Sequence, residues 1–206
     1  KEFYDRGARY MSLSHNGHSQ FCDSNTGEND SLWVDRGVSN LGKQVIAQMN
    51  KLGMMIDVSH PSKQSMKDMI TLSKAPIIAS HSSARALCDH SRNLDDEQLE
   101  WMKSNGGVIQ TVAFSAYINS EKHDAYASIL NEKVESLAKT KGVKMISRDQ
   151  IRNLDATERE IYIKQYRAIV KEAKKLMNNL KPKPVDVADY VDHIDYLVKK
   201  IGIAHV

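Results

Sequence analysis

Residues 53–60 have the sequence GMMIDVSH, and residues 75–82 have the sequence APIIASHS. Each segment predicts a short buried strand that ends in a histidine, His60 in the first and His81 in the second. The two histidines are 21 positions apart, about what one helix and two tight turns need to return the chain to a parallel neighbouring strand. We therefore expect two imidazoles side by side at one edge of a sheet, where α/β folds hold ligands and metals.

The composition is that of an ordinary globular protein. The chain has 206 residues, of which 41% are hydrophobic and 27% are charged, and its formal net charge is +3. This length is sufficient for one substantial core. Lysine-rich stretches such as residues 171–175 supply much of the positive excess, and a solvated helix face explains them without nucleic acid. Cys22 and Cys88 lack the spacing of a metal or redox motif, so we expect free thiols.

The ends and the hydropathy of the chain leave its cellular compartment open. No apolar stretch approaches the ~20 residues that a membrane-spanning helix requires. The chain begins KEFYD without a methionine, so we expect that the native start is absent and that a signal peptide could have preceded it.

Strand and helix signals alternate over residues 1–120, and this alternation predicts an α/β fold with a parallel sheet. Capping residues and apolar periodicity define the helices. The predicted order is a strand ending at His15, a polar loop over residues 16–35, a helix from Ser39 to Gly53, the His60 strand, a helix over residues 62–73, the His81 strand, a helix from a capping box at Asp95 and Gln98 to Gly106, and a strand over residues 107–114.

Helical patterns dominate the rest of the chain. Apolar residues at alternating spacings of four and three predict an amphipathic helix over residues 155–180. A second helix is predicted over about residues 185–201, closed by Gly202. Residues 203–206 have the sequence IAHV, which is typical of the opening of a further strand.

The two strand-end histidines are the strongest candidates for chemistry. A single histidine at a strand end is more often structural, but two strands with the same ending favour a shared zinc ion. The chain has no HExxH motif, which excludes a helix-borne zinc protease. Because zinc needs three or four protein ligands, His60 and His81 alone do not complete a site. Asp57, two residues before His60, is interpreted as an inner-layer residue or a partner that orients a ligand rather than a ligand itself.

Two further side chains are expected near the same edge of the sheet. His15 ends the first strand-like run and should project over that edge. Arg92 follows the His81 strand on a loop of the same edge, where its guanidinium could hold a carboxylate through two hydrogen bonds. Its spacing alone, however, favours a solvated arginine at the surface.

Several segments together carry a resemblance to a known family. They are GARYMSLSHN at residues 7–16, LGMMIDVSH at 52–60, APIIASHSSA at 75–84, SRNL at 91–94, NGGVIQ at 105–110 and VDHIDY at 191–196. In these segments the chain resembles the membrane or renal dipeptidases, peptidase family M19 of the amidohydrolase-like superfamily. Residues 121–181 match that family only weakly.

The resemblance implies a fold and an activity. The fold would be a partial (β/α)8 TIM-type barrel of about four parallel strands plus a helical C-terminal part. Its βα units would cover residues 1–120, a helical insertion residues 121–182, and a barrel helix with the start of a further strand residues 183–206. The activity would be zinc-dependent hydrolysis of dipeptides by a metal-bridging hydroxide.

The resemblance also implies roles for four side chains. His60 and His81 would bind one zinc of a two-zinc centre. His15 would polarise the scissile carbonyl and stabilise the oxyanion, and Arg92 would hold the C-terminal carboxylate of the dipeptide.

The departures from the family pattern predict an internal fragment. No H-x-D motif or bridging glutamate precedes His15, and the chain ends where the family has an aspartate-bearing strand. We expect the fragment alone to be inactive and to bind metal weakly, with its open sheet covered by self-association or by the missing barrel segments. Two alternatives stay open: a catalytically silent member that acts in binding or assembly, and a hydrolase of another small amide or lactam.

Overall fold

The computed structural model describes residues 1–178 and 180–206, which form two compact units. The first unit comprises Lys1–Ser120 and Asp186–Val206, and the second comprises Glu121–Val185. The elements are α1 (Glu2–Asp5), β1 (Tyr10–Ser12), α2 (Gly27–Asp30), α3 (Asn40–Leu52), β2 (Met55–Asp57), α4 (Lys63–Leu72), β3 (Ile78–Ser82), α5 (Asp96–Asn105), β4 (Val108–Thr111), α6 (Ser115–Ile118), α7 (Ser120–Thr140), α8 (Arg148–Arg152), α9 (Ala156–Leu176), α10 (Val187–Ile201) and a short 3₁₀ helix (Ile203–His205).

The four strands of the first unit form one parallel sheet in the order β1-β2-β3-β4. Ser12 is in register with Asp57, Asp57 with Ile78, and Ile78 with Val108. Each strand lies beside the next one in the chain, with a helix in each connection, as in the wall of a (β/α)8 barrel. The predicted α/β class, with about four parallel strands and flanking helices, is therefore confirmed.

The flanking helices begin and end where the capping signals predict. The Ser39 side chain accepts a hydrogen bond from the Gly42 N–H at the start of α3, and Gly53 ends that helix at φ 70°. Asp95 and Gln98 form both hydrogen bonds of a capping box at the start of α5. The apolar sides of these helices join the strands in one core, which includes Ile46, Met49, Ile56, Ile77, Leu99, Met102 and Ile109.

The loop between β1 and α3 is organised around a buried carboxylate. Asp23 has no exposed surface, and its oxygens accept hydrogen bonds from the backbone N–H groups of Val34, Asp35 and Gly37. Nδ1 of His18 lies 3.0 Å from the same carboxylate. Burial alone would raise the pKa of Asp23, but these hydrogen bonds and His18 outweigh it and hold that pKa below its ordinary value of 3.8. The long polar loop is thus fixed to a single anion.

Replacing Asp23 with asparagine is expected to destabilise the first unit by about 1–3 kcal/mol at neutral pH, because the amide keeps one accepting oxygen and places an NH2 donor against backbone N–H groups. The folded pKa lies below the unfolded one, so the contribution is complete above the unfolded pKa and is lost as pH falls through the folded pKa. Urea unfolding at a series of pH values should show the difference between wild type and Asp23→Asn shrinking in acid. Asp35→Asn, at an exposed carboxyl of the same loop, is the matched control. A difference that does not change with pH would contradict this account.

The second unit is helical and has its own small core. Val134 and Ala138 of α7 pack against Ile169 and Ala173 of α9. The helix predicted over residues 155–180 begins at Ala156 and ends at Leu176, and residue 179 of that prediction lies outside the described residues. No helix among the described residues combines the length and the apolar character that crossing a membrane would require.

The C-terminal residues differ from their prediction. Residues 203–206 are predicted to open a strand, but Ile203–His205 forms a 3₁₀ helix after a turn at Gly202. The His205 N–H bonds to the Gly202 carbonyl, and its Nδ1 lies 2.8 Å from the carbonyl oxygen of Gly107. The local bond to Gly202 and the side-chain bond to Gly107 satisfy polar groups here without a strand ladder, which is why this segment does not extend.

Candidate active site

The carboxyl ends of β2 and β3 bring His60 and His81 into contact. Nε2 of His60 lies 2.9 Å from Nε2 of His81, and the ring centroids are 4.9 Å apart. The adjacent parallel strands produce this pairing, because both histidines follow or end strands that point the same way. The predicted neighbourhood of the two imidazoles is therefore present in the fold.

His15 lies over the same edge. Its ring centroid is 4.2 Å from that of His60, and its carbonyl oxygen accepts a hydrogen bond from Nδ1–H of His60 at 3.1 Å. The His15 side chain is exposed, whereas His60 is buried. An exposed imidazole above a buried one is placed to meet a ligand that enters from solvent.

Arg92 is buried, although its spacing in the sequence favoured a solvated surface position. Only 4% of the residue is exposed, and Nη2 donates to Nε2 of His60 at 3.2 Å and to the His81 carbonyl at 3.4 Å. The guanidinium carbon lies 5.5 Å from the centroid of the Tyr117 ring. Nε and Nη1 have no hydrogen-bond partner among the described residues. A buried guanidinium with free donors is a site that an anion can complete.

Short backbone pairings explain how Arg92 reaches the strand ends. Leu94 N–H bonds to the Ser83 carbonyl just after β3, and the Asn93 side-chain amide donates to the carbonyls of Cys88 and Tyr117. These bonds draw the loop inward, and the bond from Asn93 to Tyr117, 24 positions away, cannot be predicted from local sequence.

A buried histidine outside the predicted set holds the same loop. His193 of α10 is 1% exposed; its Nδ1 accepts from the Ala84 N–H at 3.1 Å and its Nε2–H donates to the Ile118 carbonyl at 2.8 Å. Sequence analysis did not single out this residue, although it lies in the VDHIDY segment. Its two ring hydrogen bonds fix the chain beyond His81.

The environment keeps both strand-end imidazoles neutral. Burial is the largest cause that lowers the pKa of His60 from 6.5 to about 4, and the charges of Arg92, His15 and His81 act in the same direction. Burial also lowers the pKa of His81, followed by Arg92, with Asp57 opposing. Neutral imidazole is the form that binds a metal ion.

The donor set fits part of a metal site. Because a carbonyl can only accept, His60 carries its proton on Nδ1, and its Nε2 lone pair lies 3.2 Å from Arg92 Nη2 and 2.9 Å from Nε2 of His81. Two facing nitrogens of neutral histidines suit zinc. Over residues 1–178 and 180–206, however, no group of three or more His, Cys, Asp or Glu side chains is arranged to hold a metal ion. The described residues thus offer two candidate ligand nitrogens, fewer than the three or four protein ligands that zinc takes.

Comparison with known proteins gives a consistent assignment. A family model described as membrane dipeptidase (peptidase family M19) matches residues 1–206. An uncharacterized dipeptidase of Schizosaccharomyces pombe, C965.12, is 41% identical over 124 residues, which are 60% of this chain and 30% of that protein. The chain therefore spans less than a third of the length of this curated relative.

Solved structures agree with the fold. The probable dipeptidase PvdM from Pseudomonas aeruginosa aligns with a TM-score of 0.67 and 32% identity, covering 100% of this chain and 51% of that one. A metallo peptidase from Rhodobacter sphaeroides, liganded with a phosphinate mimic of the dipeptide L-Ala-D-Ala, has a TM-score of 0.63 and 17% identity, covering 100% of this chain and 42% of that one. Because the family model matches this chain over residues 1–206, the chain belongs to the membrane dipeptidase family, peptidase family M19.

Proposed function

We propose that the complete gene product carrying this chain is a zinc-dependent dipeptidase. The observation that carries the proposal is the convergence of three groups. Nε2 of His60 lies 2.9 Å from Nε2 of His81 and 3.2 Å from Nη2 of Arg92. Imidazole lone pairs beside a buried guanidinium suit a ligand that offers a polarisable carbonyl and, close to it, a carboxylate. In a dipeptide the C-terminal carboxylate lies only one residue beyond the scissile carbonyl.

His60 and His81 are proposed to hold one zinc ion, with other ligands coming from outside the described set. When bound, zinc supplies a Lewis acid and a water of lowered pKa. The carbonyl of His15 keeps the His60 proton on Nδ1, so that Nε2 carries the lone pair, which accepts from Arg92 in this structure. The exposed imidazole of His15, with its ring centroid 4.2 Å from that of His60, is proposed to donate a hydrogen bond to the scissile carbonyl as negative charge develops there.

Arg92 is proposed to hold the C-terminal carboxylate of the substrate. Its Nε–H and Nη1–H groups have no partner among the described residues, so they remain as charged donors from which a carboxylate can accept. Burial is the largest influence on this side chain and lowers its pKa, while Tyr117 and Asp57 oppose that shift. A buried cation of this kind favours substrates with a free carboxylate near the scissile bond, and therefore dipeptides over long peptides.

Two histidine ligands do not make a strong site, so we propose that the 206-residue chain alone binds zinc weakly and is inactive. Apolar side chains of the sheet, including Tyr10, Met55 and Val108, are partly exposed. We propose that the remaining barrel segments or a second copy of the chain cover them.

Chelation tests the proposed function. The zinc-loaded complete gene product is expected to hydrolyse dipeptides, to lose that activity on dialysis against a chelator, and to regain it on addition of zinc. The same preparation should be assayed against a panel of other small amides and lactams. A folded, zinc-replete protein that cleaves no dipeptide would overturn the proposal. Cleavage of a lactam instead would favour the other amide activity, and no cleavage of any substrate would favour a silent binding protein.

A further inference from the structure

Asp57 is a buried carboxylate, and both of its oxygens accept hydrogen bonds from residues next to His60 and His81. It is 2% exposed, and Oδ1 accepts hydrogen bonds from the backbone N–H groups of Ser59 and Ser80 and from the Ser59 hydroxyl, at 2.7–3.1 Å. Oδ2 accepts from the Ser80 hydroxyl at 2.7 Å. All four partners are donors, which is the pattern of an ionised carboxylate held in place before any ligand arrives.

The Ser80 hydroxyl connects this carboxylate to His81. Ser80 Oγ lies 2.7 Å from Asp57 Oδ2 and 2.7 Å from Nδ1 of His81. A hydroxyl has a single proton, and the carboxylate is the stronger acceptor, so that proton points to Asp57. Ser80 Oγ must then accept from His81, which places the His81 proton on Nδ1.

We propose that Asp57, acting through the Ser80 hydroxyl, fixes the tautomer and the ring orientation of His81 so that its Nε2 lone pair faces Nε2 of His60. Asp57 and Ser80 are positioning residues in this arrangement, since they act on His81 through Nδ1 and not through Nε2. Partners of this kind are expected to tune metal affinity through the ligand that they hold. The inference rests on the proposed function for its metal, but the tautomer of His81 can be tested without one.

The His60 ring is held by a different kind of hydrogen bond, so the tautomers of His60 and His81 can be perturbed independently. Nδ1–H of His60 donates to a backbone carbonyl, that of His15, and no side-chain substitution removes that acceptor. His81 depends on a side-chain hydroxyl instead. A substitution at Ser80 should therefore change His81 and leave the His60 tautomer as it is.

Ser82 provides a matched control on the same strand. It is fully buried, and its hydroxyl has no hydrogen-bond partner within the described part of the chain. Ser80→Ala and Ser82→Ala each remove one hydroxyl from β3, but only the first removes the link between Asp57 and His81. Ser80→Thr restores a hydroxyl at the linking position.

The first experiment measures zinc affinity in the complete gene product by competition with a chromogenic chelator. Ser80→Ala is expected to raise the zinc dissociation constant by roughly 10–100-fold, the range typical for loss of a group that orients a metal ligand. Ser82→Ala should retain the wild-type value, and Ser80→Thr should recover most of the affinity. Equal affinities for a folded Ser80→Ala protein and for Ser82→Ala would overturn the inference.

The second experiment uses no metal. In the metal-free wild-type protein labelled with ¹⁵N-histidine, the ring nitrogen shifts are expected to show His81 protonated on Nδ1. Ser80→Ala should give a mixture of tautomers at His81 with an unchanged pattern at His60. A proton on Nε2 of His81 in the wild type would overturn the inference, even if Ser80→Ala failed to fold. A wild type that binds zinc but cleaves no dipeptide would refute the proposed function and leave both readouts intact.

Discussion

Replacing His60 with asparagine in the complete gene product is expected to lower kcat/KM for a dipeptide at least about 10³-fold, because a Lewis acid contributes several kcal/mol of transition-state stabilisation. His60 is the most connected residue of the site. Its Nε2 lies within 3.2 Å of both His81 Nε2 and Arg92 Nη2, and its Nδ1 is bound by His15. Bound zinc, measured by elemental analysis after gel filtration, should fall in parallel with activity.

The same measurements on His81→Asn and on the double variant distinguish two cases: both histidines bind one zinc ion, or each histidine acts independently. If His60 and His81 hold one zinc, then His81→Asn alone should cost about as much as His60→Asn, and the double variant should cost little more than either single one. His123→Asn, in the helical unit, is the matched control and should retain zinc and activity. Additive losses in the double variant, or full zinc retention in His60→Asn, would contradict a shared ion.

Replacing Arg92 with methionine is expected to lower kcat/KM by roughly 10²–10³-fold, mainly through a higher KM. A substrate carboxylate left buried without its partner costs about 3–5 kcal/mol, and entry of water into the vacated space should return part of that. Arg92→Lys keeps the charge but loses the planar set of five N–H donors, so its loss should be smaller than that of Arg92→Met, on the order of tenfold. Steady-state kinetics with a dipeptide at saturating zinc measure both variants.

A second substrate makes the prediction specific to the carboxylate. When the C-terminal carboxylate of the dipeptide is replaced by an amide, wild type and Arg92→Met should have similar kcat/KM values. Arg85→Met is the control: this arginine lies on the same connection and bonds to Glu28 and Asp89 instead. Arg85→Met should leave kcat/KM nearly unchanged for both the acid and the amide substrate. A loss in Arg92→Met that is equal for the acid and the amide would contradict carboxylate recognition.

Elements defined by neighbouring residues could be predicted well from the sequence. The capping box of α5 needs only Asp95 and Gln98 three positions apart, and the end of α3 needs only a glycine that accepts φ 70° at position 53. The pairing of His60 and His81 was also accessible, because a helix between two parallel strands fixes which ends meet.

Features that depend on long-range contacts could not be predicted in the same way. Arg92 resembles a surface arginine in its local sequence, yet it is buried because Leu94 bonds to Ser83 at the end of β3 and Asn93 bonds to Tyr117. The apolar residues 203–206 suggest a strand, but a strand requires a neighbour with free backbone groups, and His205 bonds to Gly107 instead. Asp57 was recognised as a possible partner of the site, whereas its link through Ser80 was not.

The sequence by itself determined the alternation of strands and helices that carries the sheet, the ends of α3 and α5, and the presence of a histidine at the end of two successive strands. Each of these follows from backbone conformation and hydrophobic periodicity over a few residues, which act locally. Only the tertiary structure decided that Arg92 is buried against His60, that Asp57 reaches His81 through one hydroxyl, and that His193 holds the loop beyond β3. These arrangements depend on burial, which removes water as a competing partner and makes each polar group take the one partner that the fold places within reach.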